Sequence, residues 1–201
     1  KQCLVGSEMC IRDRSNRAAI VLPNGPEMAT AFLSISSYMS AAPLNPSYKL
    51  KEYEFYLQDL MPKIVIVEKD SHNPAVEAAK NLGIEICEIK KIDNAPAGIF
   101  NLYDETSNFE LATENNEALV LHTSGTTSRP KVVPLTNKNI FSSAINISNS
   151  LQLSSQDHCY NIMPLFHIHG LIAVLSSSIN AGASIYAVSY THLTLPTTIE
   201  V

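Results

Sequence analysis

The chain predicts an α/β fold, a doubly wound and mostly parallel sheet with flanking helices. Three observations carry this. Short apolar runs alternate with segments of helical period in a βαβαβαβ rhythm from residue 17 to residue 89. One run, Lys63-Ile64-Val65-Ile66-Val67, shows no polar alternation after its first residue, as a strand covered on both faces requires. The 201 residues are 45% hydrophobic with a formal net charge of −5, a balance typical of a soluble globular domain with a sizeable core.

Taken in order, Arg17-Ala18-Ala19-Ile20-Val21-Leu22 reads as a strand that closes at Pro23-Asn24-Gly25-Pro26. Pro26 suits a first helical turn and Glu27 complements the helix dipole. Met28, Phe32, Ile35 and Met39 then recur at helical spacing. Residues 42–46 are extended, because a residue before proline avoids the helical region. Ser47 is expected to cap a helix running to Leu60, with Leu50, Tyr53, Leu57 and Leu60 on one face. A helix over 75–82 stops at Gly83, and a strand follows over 84–89.

Residues 90–116 are polar and read as a surface connection with a loop at 94–98. Asp104, Glu105, Glu110 and Glu114 are spread along it as a solvated face, without the paired spacing of a metal site. Strands at 117–121 and 132–135 flank a loop. Thr136 or Asn137 caps a helix to about residue 151, and a strand covers 157–163. A helix over 171–179 ends at Gly182, with a strand over 183–187.

The acidic balance excludes a nucleic-acid protein, which would carry a basic stripe. Residues 159–199 contain no Asp, Glu, Lys or Arg, but polar interruptions leave no run of about 20 apolar residues, so no membrane span is predicted. A buried helix followed by a buried strand accounts for the stretch. The four cysteines show neither disulfide nor metal spacing. Cys87 and Cys159 fall in predicted buried strands as inert core residues. His158, Cys159, His167 and His169 match no standard metal site, and none is predicted. A reducing, cytoplasmic setting is the expectation.

The chemistry concentrates in residues 122–131, HTSGTTSRPK. Hydroxyls at Thr123, Ser124, Thr126, Thr127 and Ser128 surround Gly125, which lets the backbone turn so that successive N–H groups face one concavity. Such a nest binds anions, and Lys131 adds a point charge suited to terminal phosphates. The string is not a Walker A loop, since Pro130 precedes Lys131 and Val132 follows it. A Ser/Thr/Gly cluster taken alone reads first as a hairpin turn.

The whole string closely resembles the phosphate loop of the adenylate-forming superfamily, which includes acyl-CoA synthetases. His122 before the loop, Ser128 within it and Pro134-Leu135-Thr136 after it resemble the oxalate–CoA ligase group. Val132 stands where the family usually has glycine. Residues 21–34 and 42–48 resemble an early region of acyl-CoA synthetases. Residues 164–170, PLFHIHG, are similar to the family motif whose aromatic or histidine side chain lines the carboxylate pocket.

The resemblance implies an ATP-dependent carboxylate–CoA ligase with ATP, Mg²⁺ and coenzyme A, acting on a small carboxylic acid such as oxalate. Thr123, Ser124, Gly125, Thr126, Thr127 and Ser128 would cradle phosphates, Lys131 would neutralise them and His167 would flank the carboxylate. His169 is expected to be structural. The resemblance covers roughly residues 16–187 and only part of a large N-terminal domain. The later glutamate motif, ribose aspartate, hinge and lid lysine have no counterpart here, so the fragment is expected to be inactive. A catalytically incomplete nucleotide-binding module of the same fold is the alternative. Peroxisomal targeting stays open beside the cytoplasmic expectation.

The ends carry a different signal. Met9-Cys10-Ile11-Arg12-Asp13 can be encoded by ATGTGTATAAGAGAC, whose reverse complement encodes Val188-Ser189-Tyr190-Thr191-His192. The same string matches a transposon-end adapter used for sequencing libraries. Residues 1–14 and 188–201 are therefore expected to be translated adapter DNA, leaving 15–187 as protein of the gene.

Overall fold

The computed structural model describes residues 16–102, 111–123 and 130–188. The described elements are β1 (Arg17–Val21), α1 (Pro26–Ser36), β2 (Ser40–Pro43), α2 (Leu50–Leu60), β3 (Ile64–Glu68), α3 (Pro74–Asn81), β4 (Glu85–Lys91), β5 (Phe100–Asn101), β6 (Glu117–His122), β7 (Val132–Thr136), α4 (Asn137–Ser150) and β8 (His158–Asn161). A π-helical stretch, α5 (His169–Ser176), runs into α6 (Ser177–Asn180) and is followed by β9 (Ser184–Ala187).

The main sheet has the order β5-β4-β3-β1-β2-β6-β7. Its inner pairings are parallel, and the β4–β5 and β6–β7 pairs at its two rims are antiparallel. β8 and β9 form a separate parallel pair. Adjacent strand residues supply opposite faces. Ala18, Ile20, Ile64, Ile66 and Leu119 join the core under α1 with Met28 and Phe32. Ala19, Val21, Val65, Val67 and Val120 join the core under α2 and α3 with Tyr53 and Leu57. Helices thus cover both faces, as the doubly wound expectation requires.

Several local expectations shift. Residues 40–43 form a true strand, paired with β1 from Ser40 to Pro43. Ser47 does not cap α2. Its N–H donates to Asn45 Oδ1 (2.9 Å), and this turn delays the helix to Leu50, where Lys49 N–H donates to Glu52 Oε2 (2.8 Å). Thr136 does cap α4, its hydroxyl accepting from Asn139 N–H (3.2 Å). Gly83 and Gly182 both take positive φ where their helices stop.

The expectation of a buried final strand was wrong. Tyr186 of β9 is exposed and stacks on exposed Tyr160 of β8 at 5.5 Å. The β8–β9 pair stands beside the main sheet and covers one face only, so Cys159 is half-buried while Cys87 is buried. Among the described residues no helix is long and apolar enough to cross a membrane. Of the four acids read as a solvated face, Glu114 is exposed opposite Lys138 (3.9 Å). Asp104, Glu105 and Glu110 lie outside the described residues, as do both proposed adapter ends apart from Val188.

Candidate functional site

Both informative strings depart from the carboxyl ends of strands. β6 runs parallel to β2, and β2 parallel to β1, so the loop after His122 and the turn after β1 leave the same edge of the sheet. In open α/β sheets that edge is where ligands bind. Beside β1 the chain also reverses its direction across the sheet, with β2 on one side and β3 on the other.

The β6–β7 hairpin closes the two ends of the hydroxyl-rich string. His122 pairs with Val132 in antiparallel register. One step further out, Thr123 N–H donates to Lys131 O (2.9 Å) and Lys131 N–H donates to Thr123 Oγ1 (3.1 Å). Thr123 and Lys131 are exposed at the rim. Ser124, Gly125, Thr126, Thr127 and Ser128 lie outside the described residues. Val132, at the family's glycine position, is half-buried and packs on the core under α2.

Strand alternation sends His122 to the same side as Val120, toward α2. There His122 Nε2 lies 3.1 Å from Asp59 Oδ2, with side-chain exposures of only 8% and 16%. A carboxylate offers only acceptors, so the imidazole donates. Tyr56, one turn before Asp59, sets its ring edge-on to His122 at 4.7 Å, and Tyr48 stacks on Tyr56 at 4.8 Å. Burial, then hydrogen bonding with Tyr56, pushes the Tyr48 phenol well above the ordinary tyrosine range.

The PLFHIHG turn is held by two asparagines. Asn24, just past β1, accepts from Leu165 N–H through Oδ1 (2.8 Å) and donates from Nδ2 to Val188 O (2.6 Å). Asn161, fully buried at the end of β8, donates to Gly170 O (3.1 Å) and accepts from Met163 N–H (3.1 Å). His167 N–H donates to Pro164 O (3.1 Å), and Leu171 N–H donates to His167 O (3.1 Å). The His167 side chain is exposed, with its ring 4.5 Å from that of Phe166. His169 is exposed at the start of α5, two residues before the helix predicted from the sequence. Insertions of π type often mark functional sites.

Sequence reasoning missed Asp59, Tyr56, Asn24 and Asn161. Tyr56 and Asp59 share a stripe at i, i+3 beside the apolar face of α2, and that spacing was the only local signal available.

The family described as AMP-binding enzyme matches residues 12–200. The chain belongs to this family. Among relatives, the oxalate–CoA ligase of Arabidopsis thaliana is 42% identical over 173 residues, 83% of this chain and 34% of the relative. The oxalate–CoA ligase of Saccharomyces cerevisiae is 35% identical over 199 residues, 86% of this chain and 37% of the relative. This AMP-binding chain therefore spans about a third of the length of those curated relatives.

Solved structures agree on the fold. The o-succinylbenzoate CoA synthetase of Bacillus subtilis, in complex with its acyl-adenylate intermediate, superposes with a TM-score of 0.71 at 25% identity, covering 89% of this chain and 44% of that one. Apo MatB of Rhodopseudomonas palustris gives 0.74 at 22% identity, covering 89% and 36%.

Proposed function

We propose that the chain is part of an ATP-dependent carboxylate–CoA ligase whose acid is oxalate or a similarly small carboxylate. The observation that supports the reading is the closed neck between Thr123 and Lys131, at the carboxyl end of β6 where ligands bind in open α/β sheets. The two oxalate–CoA ligase relatives support the choice of acid. Relatives named for malonate and 4-coumarate keep other acids in the comparison set.

In this reading a carboxylate oxygen attacks the α-phosphorus of ATP, pyrophosphate leaves and an acyl-adenylate forms. The thiol of coenzyme A then attacks the acyl carbon and AMP leaves. No protein nucleophile is required, so catalysis is positioning and charge neutralisation. Thr123, Ser124, Gly125, Thr126, Thr127 and Ser128 cradle the phosphates. Lys131 offsets charge on the departing pyrophosphate, and His167 flanks the acid. When bound, Mg²⁺ would neutralise phosphate charge. Among the described residues no three His, Cys, Asp or Glu side chains gather to hold an ion.

ATP–pyrophosphate exchange in the full-length protein, with oxalate against malonate and 4-coumarate, tests the reading. Lys131→Ala is expected to lose on the order of 10²-fold in adenylation rate, the scale of removing a transition-state donor. Unchanged exchange would remove Lys131 from the mechanism. The 201-residue chain alone should show no exchange. We read residues 1–14 and 188–201 as translated adapter, and genomic DNA encoding either end would overturn that.

A further inference from the structure

The mechanism leaves one buried polar cluster unused. It is the His122–Asp59 pair with Tyr56 and Tyr48 around it, at the point where β6 becomes the phosphate loop. Two polar side chains this enclosed are costly to bury unless each satisfies the other. An apolar residue at position 122 would fill the same site without that demand. The imidazole is fixed on two sides, by the hydrogen bond it donates to Asp59 and by the edge-on contact with Tyr56. Asp59 and Tyr56 both belong to α2, whose apolar face is locked into the core through Tyr53, Leu57 and Leu60. Thr123, the next residue along from His122, makes both hydrogen bonds of the loop neck. A displacement of His122 therefore reaches the neck directly through one peptide unit.

We propose that His122 and Asp59 are positioning residues for the phosphate loop, anchoring its departure point to α2 so that the Thr123–Lys131 neck stays closed with Lys131 facing the nucleotide. The inference rests on the reading of residues 122–131 as a nucleotide loop. Asp59 touches no substrate in this scheme; it acts through His122, and His122 acts through the backbone of Thr123. Sequence neighbours alone could not show this, because the two residues lie 63 positions apart.

Three variants of the full-length protein test it: Asp59→Asn, His122→Phe and the double variant. The phenylalanine keeps a ring against Tyr56 and removes the bond to Asp59. Loss of one charge-assisted hydrogen bond corresponds to roughly a tenfold effect or somewhat more. Each single variant is expected to raise the KM for ATP about tenfold, with kcat changing less than about threefold. The double variant should be no worse than the poorer single, because the pair acts as a unit. The Thr123 and Lys131 amides should exchange with solvent about tenfold faster in each variant. Wild-type KM and wild-type amide exchange in both singles, with only the melting temperature lowered, would mean a merely structural pair and overturn the proposal. If the unmodified protein shows no exchange activity, the ligase reading fails by itself, and the amide rates still decide whether the pair holds the neck.

Discussion

Gly170→Ala should damage the turn at 164–170 by a steric route. Gly170 is buried at the second residue of α5, and its φ is not in the left-handed region, so the backbone itself would accept alanine. The obstacle is space. A Cβ there would sit 2.5 Å from Pro164 O and 2.9 Å from Met163 O. A carbon–oxygen contact is comfortable from roughly 3.3 Å, so the methyl lies about 0.8 Å too close to the nearer oxygen. That oxygen is the acceptor for His167 N–H, and relief has to come from moving backbone at 163–164 or the start of α5. Overpacking of this kind costs about 1–3 kcal/mol. At about 2 kcal/mol the melting temperature would fall by roughly 4–8 °C in a protein of 150–250 residues, and by less than that in the larger full-length protein. A shift approaching 1 Å at His167 should lower kcat/KM for the acid by on the order of tenfold to a hundredfold. Calorimetry and ATP–pyrophosphate exchange on the full-length protein read both effects. Gly25→Ala is the control, since its Cβ would meet nothing nearer than 3.7 Å. Gly170→Ala with the melting temperature and exchange rate of the control would refute the steric reasoning.

Other outcomes follow from single contacts. Arg17 clasps Glu117 through two hydrogen bonds, 2.9 and 3.2 Å, and also donates to Leu60 O. Glu117→Ala should cost about 2 kcal/mol in urea unfolding, and a change under about 0.5 kcal/mol would show the clasp to be idle. Asn24→Ala leaves Leu165 N–H without its acceptor; the KM for the acid should rise while that for ATP holds, and equal changes in both would argue against a local effect. Asp157 accepts from the backbone N–H and then the hydroxyl of Ser154, which lowers its carboxyl below the usual range. Its folded value lies below an unfolded value of about 3.9, so its contribution to stability is present above that pH and fades as pH falls through the folded value. An NMR titration placing the Asp157 carboxyl at or above about 3.9 would contradict this.

Much of the fold is legible because burial on two faces writes a continuous apolar run, as in Ile64–Glu68, and one-sided burial writes a helical stripe, as at Met28, Phe32 and Ile35. β2 is harder to see. Ser40–Pro43 carries no β-branched or aromatic residue, and it is a strand only because β1 and β6 take up its backbone groups. The two site strings are legible for a different reason, since each keeps its special residues adjacent in sequence. Their supports do not. Asn24 meets Leu165 across 141 positions, a pairing made by tertiary structure that leaves no periodicity behind. The exposed face of β9 was likewise illegible, because whether a short apolar strand is covered depends on what packs over it.

The turn at 164–170 is fastened through main-chain atoms. Asn24 and Asn161 grip the backbone of Met163, Leu165 and Gly170, and His167 contributes its own N–H and C=O. The imidazole is therefore displayed by its frame without being a strut in it. A lineage carrying this scaffold could exchange the residue at 167 with little loss of folding. If residue 167 flanks the acid as proposed, the choice of acid would then drift by single codon changes, while the asparagines and Gly170 stayed fixed beneath it.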